Sequence, residues 1–273
     1  MTVSAHASRT RTVYLRGGLT ITVNEYGTAS DGTAVLVLHG GAGPRSVAAF
    51  AAALSEHAYV IVPTHPGFEG TPRPESTDSV ADLAVAYLDL IEELGLNAVL
   101  VIGSSIGGWI ATEMGLQDNH GRISGLILLS SVGIKPEPPL EIVDTGTISP
   151  AEFFRIAYNN PYLRPDPAAL SNEQWDTIAA NQRTVAVYAG APYMHDPKLC
   201  HRLHRVTVPV LVVWGKQDGI VPLEYGRAFA NAFPRAHFEA INNAGHFPHM
   251  DQPGAVFEAI GDFVATEIKP GES

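Results

Sequence analysis

Short, nearly unbroken apolar runs decide what this chain can fold into. They stand at 34–38, 59–62, 98–102, 123–129 and 208–214, and four of the five lead into a stretch of helical periodicity. Such runs are too short to span a membrane and suit strands buried on both faces of a parallel sheet. The helical stretches fall at 47–57, 80–94, 106–116, 223–232 and 254–267. The one at 80–94 is the clearest. Asp78 and Ser79 can cap its start, Leu83, Tyr87, Leu90, Ile91 and Leu94 follow helical spacing, and Gly95 closes it. A short strand is expected at 237–241. At the front, 12–16 and 19–25 alternate around Gly17-Gly18, the signal of a two-residue hairpin. The expected class is α/β: a mostly parallel sheet with helices on both faces. Ligands in such sheets bind outside the carboxyl ends of the strands, so that edge is where chemistry is sought.

The alternation breaks between 134 and 206. This stretch opens with the proline-rich Lys135-Pro136-Glu137-Pro138-Pro139 and shows no clear strand. Helices are expected around 150–158, 173–188 and 197–204. Phe153, Phe154, Tyr158, Tyr162, Trp175, Tyr188 and Tyr193 supply a small satellite core, part of which is expected to face a substrate. The division that follows is a core in two parts, 1–134 and 207–273, with a helical lid at 135–206.

Composition excludes some functions. The net charge is −11 and no basic stripe appears, so nucleic-acid binding has no electrostatic footing. The single cysteine, Cys200, cannot form an internal disulfide, and it is expected to be packed in the 197–204 helix. The opening residues lack the apolar core of a secretion signal and no run is long enough for a bilayer, so no membrane role and a cytoplasmic location are expected.

Three motifs carry chemistry. Gly103-Ser104-Ser105-Ile106-Gly107 fits G-x-S-x-G, directly after a buried strand and opening a helix, which is the setting of a nucleophile elbow centred on Ser105. A serine hydroxyl needs a base to take its proton. His246, in Asn243-Ala244-Gly245-His246-Phe247-Pro248, lies just past the last strand. A base needs a carboxylate to fix its tautomer, and Asp218 lies just past the 208–214 strand. The order Ser105, Asp218, His246 is a known triad order. An oxyanion hole needs two backbone N–H groups. Ile106 can supply one, and Gly41 or Ala42 in the loop His39-Gly40-Gly41-Ala42-Gly43 the other. His39 is expected to brace that loop. His195, His201 and His204 lack a zinc-ligand pattern, and the glycines at 40–43 match no phosphate-binding loop, so neither metal nor cofactor is expected.

On these residues the chain resembles the α/β-hydrolase superfamily over nearly its whole length: His39-Gly40-Gly41, Gly103 to Gly108, Trp214-Gly215-Lys216-Gln217-Asp218, and Gly245-His246-Phe247-Pro248. His65-Pro66-Gly67-Phe68-Glu69-Gly70-Thr71 is similar to the family's loop after the fourth strand, with Glu69 where glycine is usual. The resemblance implies an eight-stranded sheet with a helical cap between strands six and seven. Ser105 argues against the dehalogenases and epoxide hydrolases, which use aspartate. Carbon–carbon hydrolases of ring-cleavage pathways look similar around His39 and Ser105, but Ala42 and Phe247 stand where they usually carry glycine and tryptophan. Cofactor-free haloperoxidases share the triad. The implied activity is acyl transfer on a small, largely apolar ester or related carbonyl compound. The alternatives are carbon–carbon cleavage and a hydrolase-like ligand receptor with slow turnover. The expected partner is a small-molecule substrate, and the chain is expected to be a monomer or homodimer.

Overall fold

The computed structural model describes residues 9–28 and 33–268. The opening residues read as lacking a secretion signal lie mostly outside the described residues. The apolar runs form the parallel part of one eight-stranded sheet. Its strands are β1 (Arg9–Tyr14), β2 (Thr20–Tyr26), β3 (Ala34–Leu38), β4 (Tyr59–Pro63), β5 (Val99–Ser104), β6 (Ile123–Leu129), β7 (Val210–Gly215) and β8 (Ala236–Ile241). Their spatial order is β1-β2-β4-β3-β5-β6-β7-β8. The β1–β2 and β2–β4 pairings are antiparallel, and all others are parallel.

Every residue of β3, β5 and β7 is buried because helices cover both faces. Alternate side chains feed two apolar layers. Leu36, Leu38, Val99 and Val101 join the layer that holds α2 (Val80–Glu93), α3 (Ile106–Gln117) and α6 (Leu223–Asn231). Val35, Val37, Leu100 and Ile102 join the layer of α1 (Ala48–Leu54) and α8 (Pro253–Glu267). The start of α2 is fixed as its sequence predicts. Ser79 accepts from the Asp82 N–H at 3.2 Å, and the Asp82 carboxylate accepts from the Ser79 N–H at 3.1 Å, forming a capping box.

Four local expectations need correction. The hairpin turn spans three residues rather than two: Leu15 N–H donates to Leu19 O at 2.8 Å, with Gly17 and Gly18 both at positive φ. The stretch 197–204 is not one helix but two short 3₁₀ turns, Leu199–His201 and Leu203–Arg205. The Asp196 carboxylate accepts from Lys198 N–H at 2.8 Å and from the Arg202 guanidinium, and this side-chain pull holds a turn where a continuous helix would be. Cys200 is consequently exposed, not packed. The segment also contains a strand residue pair, His195–Asp196, which lies beside Gly133–Ile134 in a two-residue parallel ladder.

Between β6 and β7 the chain also holds two helices, α4 (Pro150–Ala157) and α5 (Asn172–Ala189), joined by turns and preceded by irregular chain over 135–149. This segment faces the carboxyl ends of the central strands and closes a cavity of about 420 Å³ over them.

Candidate active site

β5 ends at Ser104 and α3 begins at Ile106, so Ser105 makes the whole turn, at φ 54° and ψ −120°. For a residue with a side chain this is strained, by about 1–3 kcal/mol. Packing holds it. The Ser105 N–H donates to Leu129 O at 2.9 Å. The Gly107 backbone lies so close to the end of β3 that an added Cβ would come within 2.6 Å of His39 O. Glycine there is what lets helix and strand meet. Ile106 occupies the first turn of α3, where backbone N–H groups have no intrahelical partner.

The loop after β3 packs on this turn. Gly40 abuts Ser104 O and Ser105 Cβ, each 3.1 Å from where its Cβ would sit. Gly43 N–H donates to Gly40 O at 3.1 Å, closing a turn around Gly41 and Ala42. His39 braces the loop, as expected. Its Nδ1–H donates to Gly40 O at 2.7 Å, and its Nε2 accepts from the His65 N–H at 3.1 Å. The rings of His39 and His65 stack at 3.6 Å. His65 Nε2–H donates to His39 O at 2.8 Å, and its Nδ1 accepts from the Tyr87 hydroxyl. Burial, then the neighbouring His65, holds His39 well below the usual histidine range, and burial brings His65 to about 4. Both rings are therefore neutral with every nitrogen occupied, and neither can serve as a base.

Asp218 and His246 meet across 28 positions of sequence. His246 Nδ1–H donates to Asp218 Oδ2 at 2.9 Å. Asp218 Oδ1 accepts from the Ile220 and Val221 N–H groups at 2.9 and 3.0 Å, which leaves the other oxygen committed to the ring. The Asp218 side chain is fully buried and that of His246 nearly so. Ser105, His246, Gly41 and Ala42 line the same cavity, and among the described residues no hydrogen bond joins Ser105 to the imidazole. The cavity wall is mostly apolar: Phe153, Phe154, Tyr158, Trp175 and Tyr193 line it. Tyr188 instead donates to Pro66 O at 2.9 Å, and Tyr162 is 94% exposed.

Sequence reading missed the residues that join the helical segment to this site. Asp251, on the short helix α7 (Pro248–Asp251), is buried, and its carboxylate accepts three backbone N–H groups. They come from Gly245 at 2.7 Å, Asn159 at 2.9 Å and Asn160 at 3.0 Å. The last carbonyls of α4 complete the joint: Ile156 O accepts from Gly219 N–H at 3.2 Å, and Ala157 O from His246 N–H at 2.8 Å. Helix ends leave such carbonyls unpaired, and here the loops that carry Asp218 and His246 pair them. On the other side, Asn181, Thr184 and Tyr188 of α5 hydrogen-bond Glu69, Gly67 and Pro66 in the loop after β4. The only sequence signal was the helical spacing of 181, 184 and 188. Asp251 gave none, since two of its three partners are amides some 90 positions away. Among the described residues, no three His, Cys, Asp or Glu side chains converge as metal ligands, and no helix is long and apolar enough to cross a membrane.

Comparison with known proteins agrees with this architecture. The profile of the Alpha/beta hydrolase family matches residues 35–259. A 2-hydroxy-6-oxononadienedioate/2-hydroxy-6-oxononatrienedioate hydrolase of Paraburkholderia phymatum is 25% identical, over 92% of this chain and 93% of the relative. A 2-hydroxy-6-oxo-6-(2'-aminophenyl)hexa-2,4-dienoic acid hydrolase of Metapseudomonas resinovorans is 26% identical, over 88% of this chain and 87% of the relative. Among solved structures, a thermophilic esterase of Thermogutta terrifontis superposes with a TM-score of 0.72 at 23% identity, covering 96% of this chain and all of its own, and is alike in fold.

Proposed function

This chain belongs to the alpha/beta hydrolase family, and we propose that within it the chain is a serine hydrolase that transfers the acyl group of a small, largely apolar ester to water. The observation that carries this reading is the Asp218–His246 pair. Its carboxylate is pinned by two backbone amides and its imidazole shares a cavity with a strained serine. In the proposed reaction His246 removes the Ser105 proton as Oγ attacks the carbonyl carbon. Asp218 stabilises the imidazolium that forms. The N–H groups of Ile106 and of Gly41 or Ala42 receive the oxyanion. His246 then returns the proton to the leaving group, and water repeats the cycle on the acyl-enzyme. Residues 135–206 act as the cap, and its aromatic side chains supply the apolar wall that motivates the substrate class.

The named relatives support a second reading, hydrolysis of a carbon–carbon bond in a ring-cleavage product, because both are named for such substrates. One assay separates the two. p-Nitrophenyl esters of increasing acyl length are offered to wild type and to Ser105→Ala. Turnover that the variant loses supports the ester reading. Failure of folded wild type to turn over any of them sinks it, and a vinylogous 1,5-diketone acid then becomes the substrate to try.

A further inference from the structure

Among the described residues lining the cavity, Arg45 is the only one with a permanent charge. Its side chain is 78% exposed, and a guanidinium so placed is a ready receptor for a substrate carboxylate. It is already taken: Arg45 Nη2 lies 3.2 Å from Glu69 Oε2. Glu69 is not a casual surface partner. Its other oxygen accepts from Asn181 Nδ2 at 3.1 Å, while its own N–H donates to Asn181 Oδ1 at 3.0 Å. Asn181 is buried and lines the cavity. The carboxylate also lies against the loop after β3, 2.9 Å from where a Cβ on Gly43 would be. Glu69 holds this position at φ 50° and ψ 31°, a left-handed conformation that glycine adopts freely and glutamate does not. A strained residue pinned on three sides, with its charge directed at the cavity's one cation, points to a selected role.

We infer that Glu69 is a specificity-determining residue: by neutralising Arg45 it turns the cavity away from substrates whose acyl part carries a carboxylate. An anionic substrate reaching Arg45 would meet the fixed charge of Glu69 within a few ångströms and be repelled. This inference rests on the serine-hydrolase reading, and it selects uncharged acyl chains over the dicarboxylates for which one relative is named.

The test compares two esters of equal length, p-nitrophenyl octanoate and the mono-p-nitrophenyl ester of octanedioic acid. The readout is the ratio of kcat/KM for the acid to that for the neutral ester, which cancels general losses of activity. Glu69→Gln keeps an acceptor for Asn181 and removes the charge. It should raise the ratio about tenfold, equivalent to about 1.4 kcal/mol. Adding Arg45→Met should return the ratio to that of wild type. Glu69→Gly, which suits the backbone, is the second charge-free variant and should behave like Glu69→Gln. The affinities of octanoate and octanedioate are measured on the same proteins, so the charge preference is read even without turnover. A ratio and an affinity preference within twofold of wild type in both charge-free variants would overturn the inference. So would an increase that survives Arg45→Met. Wild type that binds octanoate in preference to octanedioate but hydrolyses neither ester would count against the serine reading and leave the role of Glu69 standing.

Discussion

The sheet and the segment above it are built on different terms. In the sheet, β3, β5 and β7 are buried along their whole length and their neighbours are other strands and covering helices. In the segment from α4 to the two-residue ladder, Ala157, Tyr158, Val185, Tyr188, Ala189 and Met194 join the apolar layer of α2 and α3, but Phe153, Phe154, Trp175 and Tyr193 line a cavity, and polar groups add directional attachment. Asn181, Thr184 and Tyr188 grip one loop, while Ile156 O, Ala157 O and Asp251 grip two others. The core thus fixes backbone positions by close packing, which tolerates little change. The upper segment turns part of its apolar surface to the cavity and adds directional bonds to its packing.

The sharpest test of that division lies at the core's edge. Ser105→Ala should lower kcat/KM for a hydrolysed ester by about 10⁴-fold or more, and Asp218→Asn by about 10³–10⁴-fold, with circular dichroism unchanged. Cavity-wall changes should leave more activity than either, and a Phe153→Ala variant as inactive as Ser105→Ala would break the comparison. Next in size are packing losses. Leu83→Ala, fully buried between α2 and the sheet, should cost about 2–5 kcal/mol in urea unfolding. Phe153→Ala should cost under about 1.5 kcal/mol while lengthening the preferred acyl chain. Equal costs would make the cavity wall an ordinary core.

Acid should also act on the lower half. His65 and His249 are buried, and burial lowers each to about 4. Their folded values lie below the unfolded one near 6.5, so the unfolded chain binds more protons between those limits. Stability is complete above pH 6.5 and falls as pH drops towards 4. Each should contribute about 1–2 kcal/mol of loss by pH 5. His249→Gln, whose amide can still donate to Ser46 O, should flatten the pH dependence measured by thermal unfolding. An unchanged slope would mean that His249 is not protonated on unfolding in this window. The smallest effect is expected at the polar grip. Tyr188→Phe removes the bond to Pro66 O and should cost about 1 kcal/mol, with a rise in KM larger than any fall in kcat.

Sequence and structure agree best where one physical cause dominates. β6 is read at 123–129 and found there, because its apolar run and flanking polar residues leave little choice. Ser79, one of the two residues read as caps, does fix the start of α2, with Asp82 rather than Asp78 as its partner. An amphipathic pattern does not register the Asp196 carboxylate that captures the first N–H of 197–204, so two short turns stand where that pattern predicts a helix. Two-residue strands such as His195–Asp196 are too short for any period to show. Of the candidate site, the residues on strand ends were readable because motif and position coincide. The residues that hold them were not. Glu69 stood out only as a departure from glycine, and Asp251 works through amides that folding alone delivers.

The joint at the end of α4 bears on how such a protein can be recombined. Its two terminal carbonyls and the amides that follow are bonded to the loops that carry Asp218 and His246 and to Asp251, so the seam between the two segments runs through the scaffolding of the Asp218–His246 pair. A chimera that receives the upper segment of a relative inherits a new set of supports for His246 along with a new pocket. Grafts of that kind should fail first in turnover number and only then in selectivity, unless residues 156–160 travel with the recipient.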